Sequence, residues 1–218
     1  PMFAKVQNDD ETIRKGYFRV IQLLSLVVSP FLIGVIFAGE PFVKAVFGDK
    51  WLPSLILIQV MALAGLLKTL SNPSGSVILA KGKAYLAFYW NLAWVFIKIA
   101  VIWTTCLSGL HAVAAGILMM QIVASIGMQG IINKLTGMKM TEVGKALVPA
   151  TVSCIVMSLA ILAVLNLPPL FGYNPEPLIS LIVLCVVGAA AYLAVAVFGY
   201  REASGYYFNM LKNRNQNK

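Results

Sequence analysis

Six apolar runs, each about 20 residues long or longer, constrain this chain more than any other feature of its sequence. An α-helix rises about 1.5 Å per residue, so a run of this length spans roughly 30 Å, the thickness of the hydrocarbon core of a bilayer. Hydrophobic residues make up 60% of the chain and charged residues only 11%, whereas soluble domains carry about 25% charged residues. The sequence therefore predicts an all-α integral membrane protein, a bundle of six transmembrane helices at about 17–38, 52–71, 84–106, 110–131, 146–167 and 177–199.

The basic residues predict the orientation of these helices. With residues 1–16 in the cytoplasm as a linker or short helix, only Lys44 and Lys50 of the 17 basic residues fall in outer loops, and Lys98 lies within a helix. Lysine and arginine are enriched in cytoplasmic loops. We therefore expect residues 200–218 to be a cytoplasmic tail as well. The chain begins with a proline and without a signal-peptide pattern, so we expect it to be the C-terminal part of a longer protein.

Two helices contain residues that normally interrupt a helix. Pro30 lies inside the first predicted helix and removes a backbone hydrogen bond, so we expect a kink, and a hinge, at this position. The second helix meets the run Asn72-Pro73-Ser74-Gly75-Ser76 and then turns apolar again up to Ala80. It ends at Ser71 or continues, kinked, to Ala80, and the sequence leaves both possibilities open.

Short motifs near the start of the chain carry a resemblance to a known family. They are Pro-Met-Phe-Ala-Lys at residues 1–5, the pair Asp9-Asp10, the helix with Pro30, and Phe-Gly-Asp-Lys-Trp at residues 47–51, where Trp51 would anchor an interfacial turn. Together they resemble the bacterial polysaccharide exporters of the Wzx and teichuronic-acid type, in the multidrug/oligosaccharidyl-lipid/polysaccharide flippase superfamily.

The resemblance implies a fold and a function. The six helices would be one lobe of a two-lobed flippase of the bacterial inner membrane, facing a missing N-terminal half of the same chain across a central cavity. Members of the family move polyprenyl-diphosphate-linked oligosaccharide or polysaccharide precursors by alternating access. The expected partners are the lipid-linked oligosaccharide, membrane lipids, the missing half and glycan polymerase machinery.

The third predicted helix has a polar face that indicates a binding site. Asn91, Trp94 and Lys98 share this face at helical spacing, and a lysine at the centre of a membrane helix costs about 2.5–3.5 kcal/mol. Lys98 either lines a water-filled cavity, where it would meet an anionic lipid-linked sugar, or snorkels outward past Trp103. Lys68 would join it only if the second helix continues through Pro73.

Polar residues on two other helices are weaker candidates. They recur at helical spacing in the first helix, as Gln22, Ser25 and Ser29, and in the fourth, as Gln121, Ser125 and Gln129. Hydrogen bonds between helices are the favoured role for both sets, and Gln121 is retained as a candidate for the cavity wall.

The sequence argues against several kinds of chemistry. It has no Walker A motif, and its one histidine and three scattered cysteines predict no metal site, so we expect no enzyme, no cofactor and no metal. The scattered lysines and arginines do not predict nucleic-acid binding. All acidic residues fall outside the predicted helices, which disfavours a multidrug cation antiporter of the same superfamily. A membrane scaffold that only recruits glycan polymerases is the second alternative.

Overall fold

The computed structural model of the chain describes residues 10–138, 140–170 and 176–199, and all regular structure in them is helical. The helices are α1 (Asp10–Phe37), α2 (Gly39–Val46), α3 (Leu55–Ser71), α4 (Pro73–Ala80), α5 (Ala84–Cys106), α6 (Leu110–Thr136), α7 (Met140–Leu170) and α8 (Pro177–Gly199), with a short 3₁₀ helix, Asp49–Ser54, before α3. Within these described residues, six segments are long and apolar enough to cross a membrane: Asp10–Phe37, Asp49–Ala80, Ala84–Cys106, Leu110–Thr136, Thr141–Asn166 and Pro177–Val197. The predicted all-α fold with six membrane-spanning helices is confirmed, and the chain is a multi-pass membrane protein.

The second span continues past the break at Asn72, which answers the question that the sequence left open. Asn72 keeps helical dihedrals, φ −56° and ψ −41°, between α3 and α4. Pro73 is the first residue of α4, where its missing amide hydrogen breaks no intrahelical bond and its fixed φ suits a helix. Because α3 and α4 form one span of 32 residues, Lys68 lies well inside it.

The first helix begins earlier than the apolar run predicts. It starts at Asp10, not near Tyr17, with Asp10 and Glu11 in its first turn, where carboxylates interact favourably with the helix dipole. Lys15 forms an ion pair with Glu11 at 2.6 Å, and Lys81 pairs with Asp10. Glu142 similarly lies in the first turn of α7. The expectation that every acidic residue lies outside the helices is therefore wrong for these three. It is also wrong for Glu40, in the first turn of α2, and for Asp49, in the 3₁₀ helix.

A buried polar network holds α1, α4 and α6 together at the end of the bundle where α1 begins. Tyr17 is 1% exposed, and its hydroxyl donates a hydrogen bond to the side-chain oxygen of Gln129 at 2.9 Å. The Ser74 hydroxyl lies 2.9 Å from the same Tyr17 oxygen. Because the Tyr17 proton is directed to Gln129, Ser74 is the donor to Tyr17. The expected hydrogen bond between helices is thus present at Gln129, whereas Ser25 bonds within α1, to the carbonyl of Gln22 at 2.8 Å.

A second cluster packs α1 against α7 and α8. Its buried residues are Ala38, Cys154, Met157, Ile161, Leu184 and Tyr192. A Cβ added to Gly188 would lie 3.2 Å from Ile161 Cδ1, so this glycine allows α7 and α8 to approach closely. Helix α1 stays continuous through Pro30, and the hinge at this residue stays a prediction.

A compact turn joins α1 to the second span. Phe47 lies between two aromatic rings, with centroids 6.0 Å from Phe42 and 6.3 Å from Trp51. Lys44 donates a hydrogen bond to the Glu40 carboxylate at 2.7 Å, which raises the pKa of the lysine. Trp51 is exposed, and an exposed tryptophan at the end of a span suits the predicted interfacial anchor.

Candidate functional site

A cavity of about 420 Å³ lies between α3, α4, α5 and α6. It contains the five residues that the sequence suggested as a binding site, and they come from three different helices. The lining residues are Lys68, Ser71, Asn72, Gly75, Ala87, Trp90, Asn91, Trp94, Val95, Lys98, Met120, Gln121, Ala124 and Met128. The structure therefore brings Lys68, Asn91, Trp94, Lys98 and Gln121 together in one space.

The two lysines of the cavity lie at a similar depth in the bundle. At about 1.5 Å per residue, Lys68 is roughly 18 Å from the end of its span at Ala80, and Lys98 is roughly 21 Å from the start of α5 at Ala84. Gln121 is roughly 22 Å from the end of α6 at Thr136 by the same measure. These helix ends meet at one end of the bundle, so all three residues lie near the middle of their spans.

Neither lysine has a counter-charge among the residues that the structure describes. Within the described residues, no hydrogen bond or ion pair joins Lys68 or Lys98 to another group, and both are exposed in the bundle. An unpaired ammonium is costly in hydrocarbon and is usually found facing water or a partner of opposite charge. The cavity is thus a place where two positive charges face water or an anion.

Hydroxyl and amide groups join the α3 and α6 walls of the cavity. The hydroxyl oxygens of Ser71 and Ser125 lie 3.0 Å apart, and the Gln121 amide nitrogen lies 3.4 Å from Ser125 Oγ. The Ser71 hydroxyl can donate to Ser125 Oγ or to the carbonyl oxygen of Leu67, which lies 2.9 Å away. This chain of groups fixes the spacing of the helices that carry Lys68 and Gln121.

An aromatic wall faces these polar groups from α5. The rings of Trp90 and Trp94 lie 5.6 Å apart between centroids and are tilted by 57°. Trp94 was among the residues predicted from the sequence to line a cavity, whereas Trp90 was not. The spacing of Trp90, Trp94 and Lys98, each four residues apart, is a helical-face pattern that could have revealed it.

Other predicted features lie elsewhere. Pro30 does not line the cavity. Among residues 10–138, 140–170 and 176–199, no group of three or more His, Cys, Asp or Glu side chains could hold a metal ion.

Comparison with known proteins gives partial matches to longer membrane proteins. A family model described as "Polysaccharide biosynthesis protein" matches residues 1–56. Teichuronic acid biosynthesis protein TuaB of Bacillus subtilis is 46% identical over 91 residues, which is 42% of this chain and 19% of TuaB. Lipopolysaccharide biosynthesis protein WzxC of Escherichia coli is 32% identical over 127 residues, 58% of this chain and 26% of WzxC.

An uncharacterized membrane protein in the cps region of Klebsiella pneumoniae matches to the same extent, 32% over 127 residues, or 58% of this chain and 26% of that protein. No solved structure matches the chain. The matched segments thus cover about a quarter of these relatives or less. The resemblance seen in the sequence is confirmed: part of this chain is homologous to part of the polysaccharide biosynthesis proteins of the Wzx and TuaB type.

Proposed function

We propose that this chain forms one lobe of a bacterial inner-membrane exporter that flips polyprenyl-diphosphate-linked oligosaccharides by alternating access. The observation that carries the proposal is the cavity lined by both Lys68 and Lys98, each near the middle of its span. The described residues that line it include no acidic side chain. A site for an anion fits this wall better than a site for an organic cation.

The chemistry of the cavity suits the head group of such a lipid. Two ammonium groups can pair with a diphosphate, and charge-assisted hydrogen bonds of this kind are stronger than neutral ones. Asn91 and Gln121 supply amide groups for sugar hydroxyls, and the lipid tail would stay in the bilayer beside the bundle. A second lobe, contributed by the rest of the protein, would close the cavity on one side of the membrane at a time.

The membrane potential can supply part of the driving force. Moving one negative charge outward gains about 2.3 kcal/mol per 100 mV of inside-negative potential. Export would then not require a coupling carboxylate in this lobe. This step assumes the orientation predicted from the basic residues, with both ends of the chain in the cytoplasm.

The test is translocation by the full protein that contains this chain, reconstituted in lipid vesicles. The probe is a polyprenyl-diphosphate-linked oligosaccharide with a fluorophore on its sugar, and a membrane-impermeant reductant bleaches only the outer leaflet. We expect the protein to expose the inner-leaflet probe to the reductant, faster when a potential draws anions outward. Vesicles that leave the inner probe protected would contradict the proposal.

Two other outcomes would support the alternatives. Exchange of protons or sodium for an organic cation, without movement of the lipid-linked sugar, would indicate a cation antiporter. Binding of a glycan polymerase with no translocation would indicate a scaffold. Both outcomes would overturn flipping as the function of the protein.

A further inference from the structure

The ring of Trp90 lies directly on the backbone of α6 at Gly127. A Cβ built on Gly127 would lie 2.6 Å from Trp90 Cη2, 3.4 Å from Cζ2 and 3.6 Å from Cζ3. The first distance is well inside van der Waals contact, so any larger residue at 127 must displace the ring. Gly127 therefore leaves the space that the indole of Trp90 occupies.

The same ring lines the cavity, together with Trp94. Trp90 is about 12 Å along the helix axis from Lys98, toward the start of α5, at about 1.5 Å per residue. The cavity thus has a cationic part around Lys68 and Lys98 and an aromatic part around Trp90 and Trp94. Their separation is on the scale of a glycosyl diphosphate.

An indole is suited to one part of such a ligand. Its large, rigid, apolar face packs against apolar surface and holds it with little loss of conformational entropy. A pyranose ring presents its C–H groups as an apolar face and its hydroxyls at the rim. Asn91 and Gln121 line the same cavity and carry amides that can meet the hydroxyls.

We propose that Trp90 and Trp94 form the sugar-stacking part of this cavity, and that Gly127 is the residue that positions Trp90 for it. The proposal rests on the proposed function, because it concerns the sugar of the same lipid-linked ligand. Gly127 acts through Trp90 and does not itself contact the sugar.

A second glycine on α6 separates positioning from helix packing. A Cβ on Gly116 would lie 2.9 Å from Val101 Cγ1 and 3.1 Å from Thr105 Cγ2, so Gly116 also sits at a close contact between α5 and α6. Neither Val101 nor Thr105 lines the cavity. A Cβ on Gly130 meets nothing within 4 Å. Gly116→Ala thus tests the effect of disturbing the packing between α5 and α6. Gly130→Ala tests the effect of replacing a glycine of α6 by alanine where the added Cβ meets no other group.

The experiment measures binding of two probes to the full protein in lipid nanodiscs: farnesyl diphosphate, and farnesyl diphosphate carrying one galactose. We expect the wild type to bind the galactosyl probe more tightly by about threefold to tenfold, a typical gain from aromatic contacts. The ratio to follow is the Kd of farnesyl diphosphate divided by the Kd of the galactosyl probe. Gly127→Ala should reduce this ratio to about one and leave the Kd of farnesyl diphosphate unchanged. Gly130→Ala should keep the wild-type ratio, and Gly116→Ala should keep it even if the protein is less stable.

A double-mutant cycle keeps the test decisive if Gly127→Ala folds poorly. Trp90→Phe removes the three ring atoms that meet the added Cβ, so position 127 should tolerate alanine in this background. Trp90→Phe should lower the ratio by itself, and adding Gly127→Ala should lower it no further. A wild-type ratio in Trp90→Phe, or equal weakening of both probes by Gly127→Ala, would overturn the assignment.

The outcomes also separate this inference from the proposed function. Tight binding of farnesyl diphosphate with no preference for the galactosyl probe would overturn the sugar-stacking site alone. Failure of the wild type to bind either probe would overturn the proposed function and the stacking site with it.

Discussion

The hydroxyl of Tyr192 lies 2.7 Å from the carbonyl oxygen of Leu26 and donates a hydrogen bond to it. This carbonyl is the one that Pro30 deprives of its usual amide partner, because residue 30 has no N–H to donate four residues back. Tyr192 is buried between α1 and α8. A side chain of α8 thus replaces the backbone bond that the proline removes from α1.

Tyr192→Phe should destabilise the protein by about 0.5–1.5 kcal/mol, because it leaves the Leu26 carbonyl without this donor. The measurement is the free energy of unfolding in detergent. Pro30→Ala restores an amide that can reach Leu26, so the same Tyr192→Phe change should cost less in a Pro30→Ala background. Equal costs in the two backgrounds would show that Tyr192 does not compensate for the proline.

Pro30→Ala also tests the predicted hinge. If bending of α1 at this residue serves the movement of the lobe, the alanine should lower export more than it lowers the amount of folded protein. The measurement is export per molecule of folded protein in the vesicle assay. Equal loss of both quantities would make Pro30 a packing residue only.

Tyr17→Phe should be a strongly destabilising change, by about 1–3 kcal/mol, because it leaves Gln129 and Ser74 without their shared buried partner. The free energy of unfolding is again the measurement. Tyr89→Phe is a matched control, since Tyr89 is 64% exposed and should change stability little. If the two substitutions change the free energy of unfolding by similar amounts, the hydrogen-bond network of Tyr17 does not stabilise the protein.

Much of the fold was predictable because a bilayer allows few solutions. Every backbone polar group in hydrocarbon must be paired, so an apolar run of 20 residues or more predicts a helix by its length and composition. The ends were less certain. Helix α1 extends beyond the apolar run to include Asp10 and Glu11, and both carboxylates form ion pairs with lysines. The break at Pro73 was ambiguous because a proline can end one helix or begin the next.

The candidate cavity was only partly predictable, because helical spacing shows which residues share a face and not which face meets another helix. Lys98, Asn91 and Trp94 could be found on one helix. Lys68 depended on whether α3 continues into α4. The contact of Trp90 with Gly127 depends on how α5 and α6 pack, so it cannot be predicted from the position of either residue in the sequence.

The predicted orientation can be tested with a reporter that is active only outside the cytoplasm. Fusion near Gly172 should give activity, and fusion near Gly137 or Lys212 should give none, because the basic loops are expected inside. The assay needs only living cells and a measure of fusion-protein amount. Activity at Gly137 and silence at Gly172 would reverse the orientation.

Substitutions of Lys98 test whether its charge contacts the substrate. If its ammonium pairs with a diphosphate, Lys98→Arg should retain most export, because a cation remains at that place. Lys98→Met keeps a similar length and inserts more easily into lipid, so it should fold at least as well yet export poorly. Lys98→Glu should export least, since it would repel the anionic head group. Export per molecule of folded protein is the measurement.

Lys68 is a second test of the cationic part of the cavity, and Lys134 is a control outside it. Lys68 shares the cavity at a similar depth, so Lys68→Met should lower export in the same direction as Lys98→Met. Lys134 lies in the last turn of α6 outside the cavity, and Lys134→Met should leave export unchanged. If the diphosphate bridges both ammonium groups, the two cavity substitutions together should cost less than the sum of their separate effects.

If Lys98→Met exports like the wild type, Lys98 is an interfacial anchor that snorkels outward, and the binding-site assignment is wrong.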